Sequence, residues 1–84
     1  MKAPRLDLWA DLNTEDDNRL CWSALRHATK PEAVVPGAVL IAGTETLWAV
    51  VRIESIDDDG MVHFSVVDPQ DPVSKAVLAD ASPG

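Results

Sequence analysis

Residues 37–67 read GAVLIAGTETLWAVVRIESIDDDGMVHFSVV, and the fold follows from how this stretch is divided. GAVLIAG (37–43) is a short apolar run between glycines, with Pro36 ahead of it. At that length a buried strand is favoured over a helix. TLWAVVRIESI (46–56) is rich in β-branched and aromatic residues. Leu47, Ala49, Val51 and Ile53 fall on one face and Trp48, Val50, Arg52 and Glu54 on the other, the period of two that marks a strand. MVHFSVV (61–67) alternates again, with Val62, Phe64 and Val66 expected inward and His63 and Ser65 outward. GTE (43–45) makes a tight connection, and DDDG (57–60) has the chemistry of a hairpin turn. Aspartate side chains bond to nearby backbone N–H groups, and Gly60 supplies the left-handed residue that closes such a turn.

The same reasoning extends towards the N-terminus. RLDLWADLN (5–13) sets Leu6, Leu8, Ala10 and Leu12 against Asp7, Trp9 and Asp11, again a strand pattern. RLCWSALRHA (19–28) admits two readings. As a helix it would be capped by Thr14 with Asp17 three residues on, and Leu20, Ala24 and Ala28 would share a face. As a strand it alternates Leu20, Trp22 and Ala24, with Asp17-Asn18 turning a hairpin. The strand is preferred. TKPEAVVPG (29–37) is a connector, because two prolines forbid a sheet interior. DPQDP stops the last strand, VSKAVLAD (73–80) adds one short helical turn, and the last residues fray.

These segments make five strands. A single sheet of that size leaves an apolar face in water, whereas curling it into a small barrel hides the face and removes the edges. The expectation is an all-β, five-stranded barrel spanning residues 1–80, with 81–84 a frayed tail. The alternative is an α+β fold in which residues 14–28 form a helix packed on a three-stranded antiparallel sheet. The rhythm of VPGAVLIAG followed by WAVVRIESIDDDGMVHFSVV (35–67) resembles SH3-like barrels, as found in small chromatin- and ribosome-associated proteins. DLNTEDDNR (11–19) resembles a hairpin of short actinobacterial proteins. Neither resemblance supplies an activity. Ribosomal barrels are basic, and this chain is acidic.

Composition narrows the function. At 84 residues one domain is the sensible count, too small for a core together with a deep pocket. The net charge of −7 is uneven: residues 1–30 hold five acids and five bases, and the rest holds nine acids against Arg52 and Lys75. Direct nucleic-acid binding needs clustered Lys and Arg and is disfavoured, as is attraction to anionic membranes. Cys21 is the single cysteine, which suits a reducing compartment, and MKAPRLDLW lacks a signal peptide's apolar run, so a cytoplasmic protein is expected.

No cofactor, metal or catalytic site is expected. A calcium loop aligned on Gly60 would place Val66 where a bidentate Glu is required. Cys21, His27 and His63 are too few for zinc, and nothing around Cys21 or the serines suggests an activated nucleophile. The glycines form no phosphate loop.

Interaction residues are more legible. Trp9 and Trp48 lie opposite the apolar stripes of their strands, while Trp22 shares the stripe of Leu20 and is assigned to the core. Exposed tryptophans are anchors of the kind found in interface hot spots. With Asp57, Asp58 and Asp59 they form the candidate partner-binding set. The acidic surroundings favour a basic protein partner, such as one offering Lys, Arg or a proline-rich cationic segment. A homodimer through paired tryptophans is a further possibility. The alternative function is nucleic-acid mimicry, in which the acidic surface blocks a DNA- or RNA-binding protein. Ordinary solubility charge also accounts for the acids.

Overall fold

The computed structural model describes residues 6–12 and 20–81. It shows β1 (Leu8–Trp9), β2 (Cys21–Ala24), β3 (Val39–Gly43), β4 (Trp48–Ile56) and β5 (Met61–Val66), followed by helix α1 (Pro72–Ala81). Single 3-10 turns at Leu25–His27 and Pro31–Ala33 occupy the link between β2 and β3. The strands form one sheet in the order β1-β3-β4-β5-β2, curled into a small, nearly closed barrel. The expected five-stranded all-β architecture is therefore present. Strand β2 lies inside the segment that the α+β alternative makes helical, so that alternative is overturned. The proposed turn at 14–18 falls outside the described residues.

The hairpin β4–β5 forms as its sequence implies. Gly60 N–H donates to the Asp57 carbonyl at 2.9 Å and Asp57 N–H to the Met61 carbonyl at 2.8 Å, and Gly60 sits at φ 83°. Gly43, which ends β3, is more constrained. It adopts φ 137°, and a Cβ placed there would lie 2.5 Å from Trp48 Cα and closer still to the Leu47 carbonyl oxygen.

The barrel interior collects Leu8, Ala10, Leu40, Ala42, Val51, Ile53, Val62 and Phe64, with Val34 from the connector. Leu8 and Ala10 near β1 and Val51 and Ile53 of β4 face inward as their sequence pattern implies. Leu47 and Leu6, expected on the same stripes, do not: Leu47 precedes β4 and is exposed in the β3–β4 loop, and Leu6 packs against the outer cluster of Ile41, Val50 and Val67. A bulge at Glu54 shifts the β4–β5 register, so that Ile53 faces Phe64 but Ser55 faces His63. One extra residue reverses the parity, which brings Ile56 back onto the core.

Four further features depart from the sequence reading. First, β1 is two residues long and pairs in parallel with β3, not with β2. Second, Cys21 and Ser23 point inward in β2, and Trp22 points outward. The register explains this: Cys21 faces Phe64 and Ser23 faces Val62, both interior, and directly opposed residues share a face. Third, Val66 is 52% exposed at the barrel's open end, while Val67 is buried outside the barrel. Fourth, the C-terminal segment makes ten helical residues, not one turn.

That helix has a cause in its first residues. Asp71 Oδ1 accepts from Val73 N–H at 2.9 Å, and Pro72 occupies the first helical position, where a missing N–H costs nothing. Ser74, Val77 and Leu78 then share a face. Ser74 Oγ donates to the Asp68 carbonyl at 2.8 Å, while Val77 and Leu78 cover Ile41, Val50 and Val67 on the outer face of the sheet. Strands β3 and β4 are thus buried on both sides.

Substituting Gly43 should be far costlier than substituting Gly60, where a Cβ would meet nothing within 4 Å. Gly60→Ala is expected to lose about 1–2 kcal/mol for its left-handed backbone. Gly43→Ala should lose clearly more, or fail to fold, because the obstruction is backbone. Urea midpoints of the two variants check this.

Candidate functional site

Strands β1 and β2 are the two ends of the sheet, so the barrel closes where they meet. No ladder joins them among the described residues. The closure is made by other means. Leu8 bridges Ala28 just past β2, and Thr29 N–H donates to the Asp7 carbonyl at 2.9 Å. Higher up, the buried Ser23 hydroxyl donates to the Trp9 carbonyl at 2.6 Å. A side chain therefore stands in for a rung of the sheet.

Over this seam lies a shallow groove of about 270 Å³, lined by Trp9, Asp11, Trp22, Ala24, Arg26, His27 and Met61 among others. Trp9 is 52% exposed and Trp22 38%. The Trp9 and His27 rings meet edge to face, with centroids 5.4 Å apart and planes at 86°. The indoles face outward because their neighbours face in: Leu8 and Ala10 beside Trp9, and Cys21 and Ser23 beside Trp22. Period-two alternation on two short strands thus places one tryptophan on each bank of the seam.

The acidic turn belongs to the same end of the molecule. Leu25 N–H donates to the Gly60 carbonyl at 2.8 Å, and Met61, next in the chain, faces Ala24 and lines the groove. Asp57 Oδ2 lies 2.8 Å from His63 Nε2. Among the described residues the Asp58 and Asp59 side chains have no hydrogen-bond or ion-pair partner. Asp11 and Arg26 both line the groove.

The structure therefore brings Trp9 together with the segment carrying Asp57, Asp58 and Asp59. It does not bring Trp48 with them. Trp48 lies on the outer face, as its parity requires, but is half-buried beside Val50, Val67 and Leu78 at the edge of α1. Trp22, His27 and Met61 are groove residues that the sequence reading did not select. The signal for Trp22 was the inward face of β5, which dictates the orientation of β2 once the two are paired.

Ser23 Oγ is committed as a donor to a carbonyl. Cys21 and His63 lie on adjacent strands but on opposite faces, since Cys21 pairs with Phe64 and His63 with Trp22. No group of three or more His, Cys, Asp or Glu suited to a metal ion occurs among the described residues. No helix among them is long and apolar enough to cross a membrane. No family model, curated protein or solved structure matches the chain.

Ser23→Ala should lower stability by about 1–3 kcal/mol, because it leaves the Trp9 carbonyl without its partner. It should also speed amide exchange at the seam. Ser65→Ala, which removes only an exposed bond to Glu54, should do neither. Native-state hydrogen exchange on the two variants distinguishes them.

Proposed function

We propose that this chain is a non-catalytic protein-interaction module of the SH3-like class, and that it engages a basic protein partner through the seam groove. The observation that carries the reading is the pair of outward indoles, Trp9 and Trp22, lining one groove over a seam that the fold closes beneath them. Large, rigid, half-exposed aromatic groups are strong anchors, because they bury much area while losing little conformational entropy. The strand-hairpin-strand rhythm of residues 35–67 and the nearly closed barrel support the SH3-like assignment. The likeness to short actinobacterial proteins rests on residues 11–19, of which 13–19 lie outside the described residues.

Charge supports a basic partner. The excess of negative charge lies beyond Lys30, and three of its carboxylates sit in the turn fastened to the groove. Nucleic-acid mimicry is less favoured by the same placement. Asp68 and Asp71 hold backbone N–H groups around the start of α1, Asp7 accepts from Ile41 N–H, and Glu54 accepts from Ser65. Carboxylates engaged in this way brace the fold and do not form an open row of phosphate-like charges.

The test compares tryptophan variants. Trp22→Ala should weaken capture of the partner by at least about 2 kcal/mol while leaving the melting temperature near that of the parent. Trp48→Ala should instead lower the melting temperature, because it removes part of the cover between the sheet and α1. Loss of capture by Trp48→Ala alone, with Trp22→Ala silent, would contradict the assignment of the groove.

A further inference from the structure

We infer that the cleft between strand β3, the β2–β3 connector and helix α1 binds a free α-amino acid with an aliphatic side chain. The cleft measures about 250 Å³ and shares no lining residue with the seam groove. Its floor comes from an interruption in the sheet. Ile53 N–H donates to the Ala38 carbonyl and Thr44 N–H to the Leu47 carbonyl, and the β3–β4 register between them is unbroken. Hydrogen-bonded pairs alternate along an antiparallel ladder, so Val39, Ile41 and Gly43 turn their N–H and C=O groups to the other edge. Strand β1 covers that edge only in part. Ala10 N–H reaches the Gly43 carbonyl and Asp7 N–H the Ile41 carbonyl, and the Asp7 carboxylate takes the Ile41 N–H at 3.1 Å in place of a strand. Beyond Asp7 the edge is open, and the backbone of Val39 has no partner on it among the described residues.

An open edge one residue long matches the main chain of one amino acid. The Val39 N–H faces a carboxylate, and its carbonyl faces an ammonium. Charged side chains flank this edge. Asp7, Lys30 and Asp80 all line the cleft, yet no ion pair joins them among the described residues. Asp80 stands in the last turn of α1, which holds no basic residue. The carbonyl end of a helix carries partial negative charge, so a carboxylate there is disfavoured and an arriving cation is favoured. The ligand's ammonium therefore goes to Asp80, since Asp7 is engaged with Ile41. Lys30 takes the ligand's carboxylate, with the Val39 N–H as a second donor. A bare amine would meet Lys30 and a bare carboxylate the two aspartates, whereas a zwitterion satisfies both signs. Its side chain meets the apolar wall of Val34, Leu40 and Val77. The volume lies below the roughly 300–1,000 Å³ of sites for drug-sized ligands, which restricts the cleft to one small molecule.

The experiment titrates the full chain with L-leucine, with isoamylamine, which lacks the carboxylate, and with isocaproate, which lacks the ammonium. Binding is read from backbone amide resonances. L-leucine should shift the signals of Val39 and Val77 saturably and leave the indole signals of Trp9 and Trp22. The other two compounds should bind at least about tenfold more weakly, since each forgoes one charge-assisted contact. Lys30→Gln and Asp80→Asn alter exposed side chains and should leave the fold intact. Each should weaken L-leucine binding about tenfold. Absence of a saturable shift at millimolar L-leucine overturns the inference. So does equal binding of either single-charge analogue, or unchanged binding in either variant. Nuclear Overhauser contacts from residues 1–5 to Val39 in the free protein would give the cleft to the chain's own N-terminal segment and overturn the ligand assignment.

Discussion

The Ser23 hydroxyl on the Trp9 carbonyl, at 2.6 Å, is the contact on which the rest of the architecture turns. A five-stranded sheet this short closes only if its first and last strands are held together, and here they form no ladder among the described residues. A buried hydroxyl satisfies a carbonyl that would otherwise lose its partner, and the Leu8–Ala28 bridge locks the other end. Because side chains make the closure, the two banks stand far enough apart to leave a groove. The tryptophans that line it are outward for the same reason that the core is filled: each is flanked by inward residues on a period-two strand. Fold and candidate site are thus consequences of one arrangement.

The opposite flank is organised differently. Strands β3 and β4 are apolar on both faces, since Leu40, Ala42, Val51 and Ile53 fill the barrel while Ile41 and Val50 look out. An outward apolar patch of that kind requires a cover, and Val77 and Leu78 of α1 supply it. Trp48 is therefore half-buried beside α1, whereas Trp9 stands exposed at the seam, although the two share a similar sequence environment. The same residue type takes different environments because one strand lies under a helix and the other borders a seam.

Much of this was legible in the sequence. The alternation in 46–56 and 61–67, the Asp-rich turn closed by Gly60 and the five-strand count all follow from local rules, in which each residue's place depends on its chain neighbours. The failures are non-local. The parallel pairing of β1 with β3 cannot be read from either strand alone. The orientation of Trp22 depends on pairing Cys21 with Phe64, and the inward return of Ile56 depends on a bulge at Glu54. The length of α1 was hidden because DPQDP reads as a stop, when Asp71 and Pro72 also begin a helix. The candidate site shows the same division. Trp9 and the acidic turn were visible as separate features, but that they share a groove with Trp22 and His27 depends on closure, a property of the whole barrel.

The central claim is that β1 and β2 meet at a side-chain-sealed seam with both indoles outside. Its most direct test is a set of proton–proton nuclear Overhauser contacts for Trp9 and Trp22 in the free protein. The account predicts contacts from the Trp9 ring to His27, from Ser23 to the Trp9 backbone, and from Leu8 to Ala28. Contacts from either indole to Val62 or Phe64 in the barrel interior, with none across the Trp9–Ser23 seam, would contradict it.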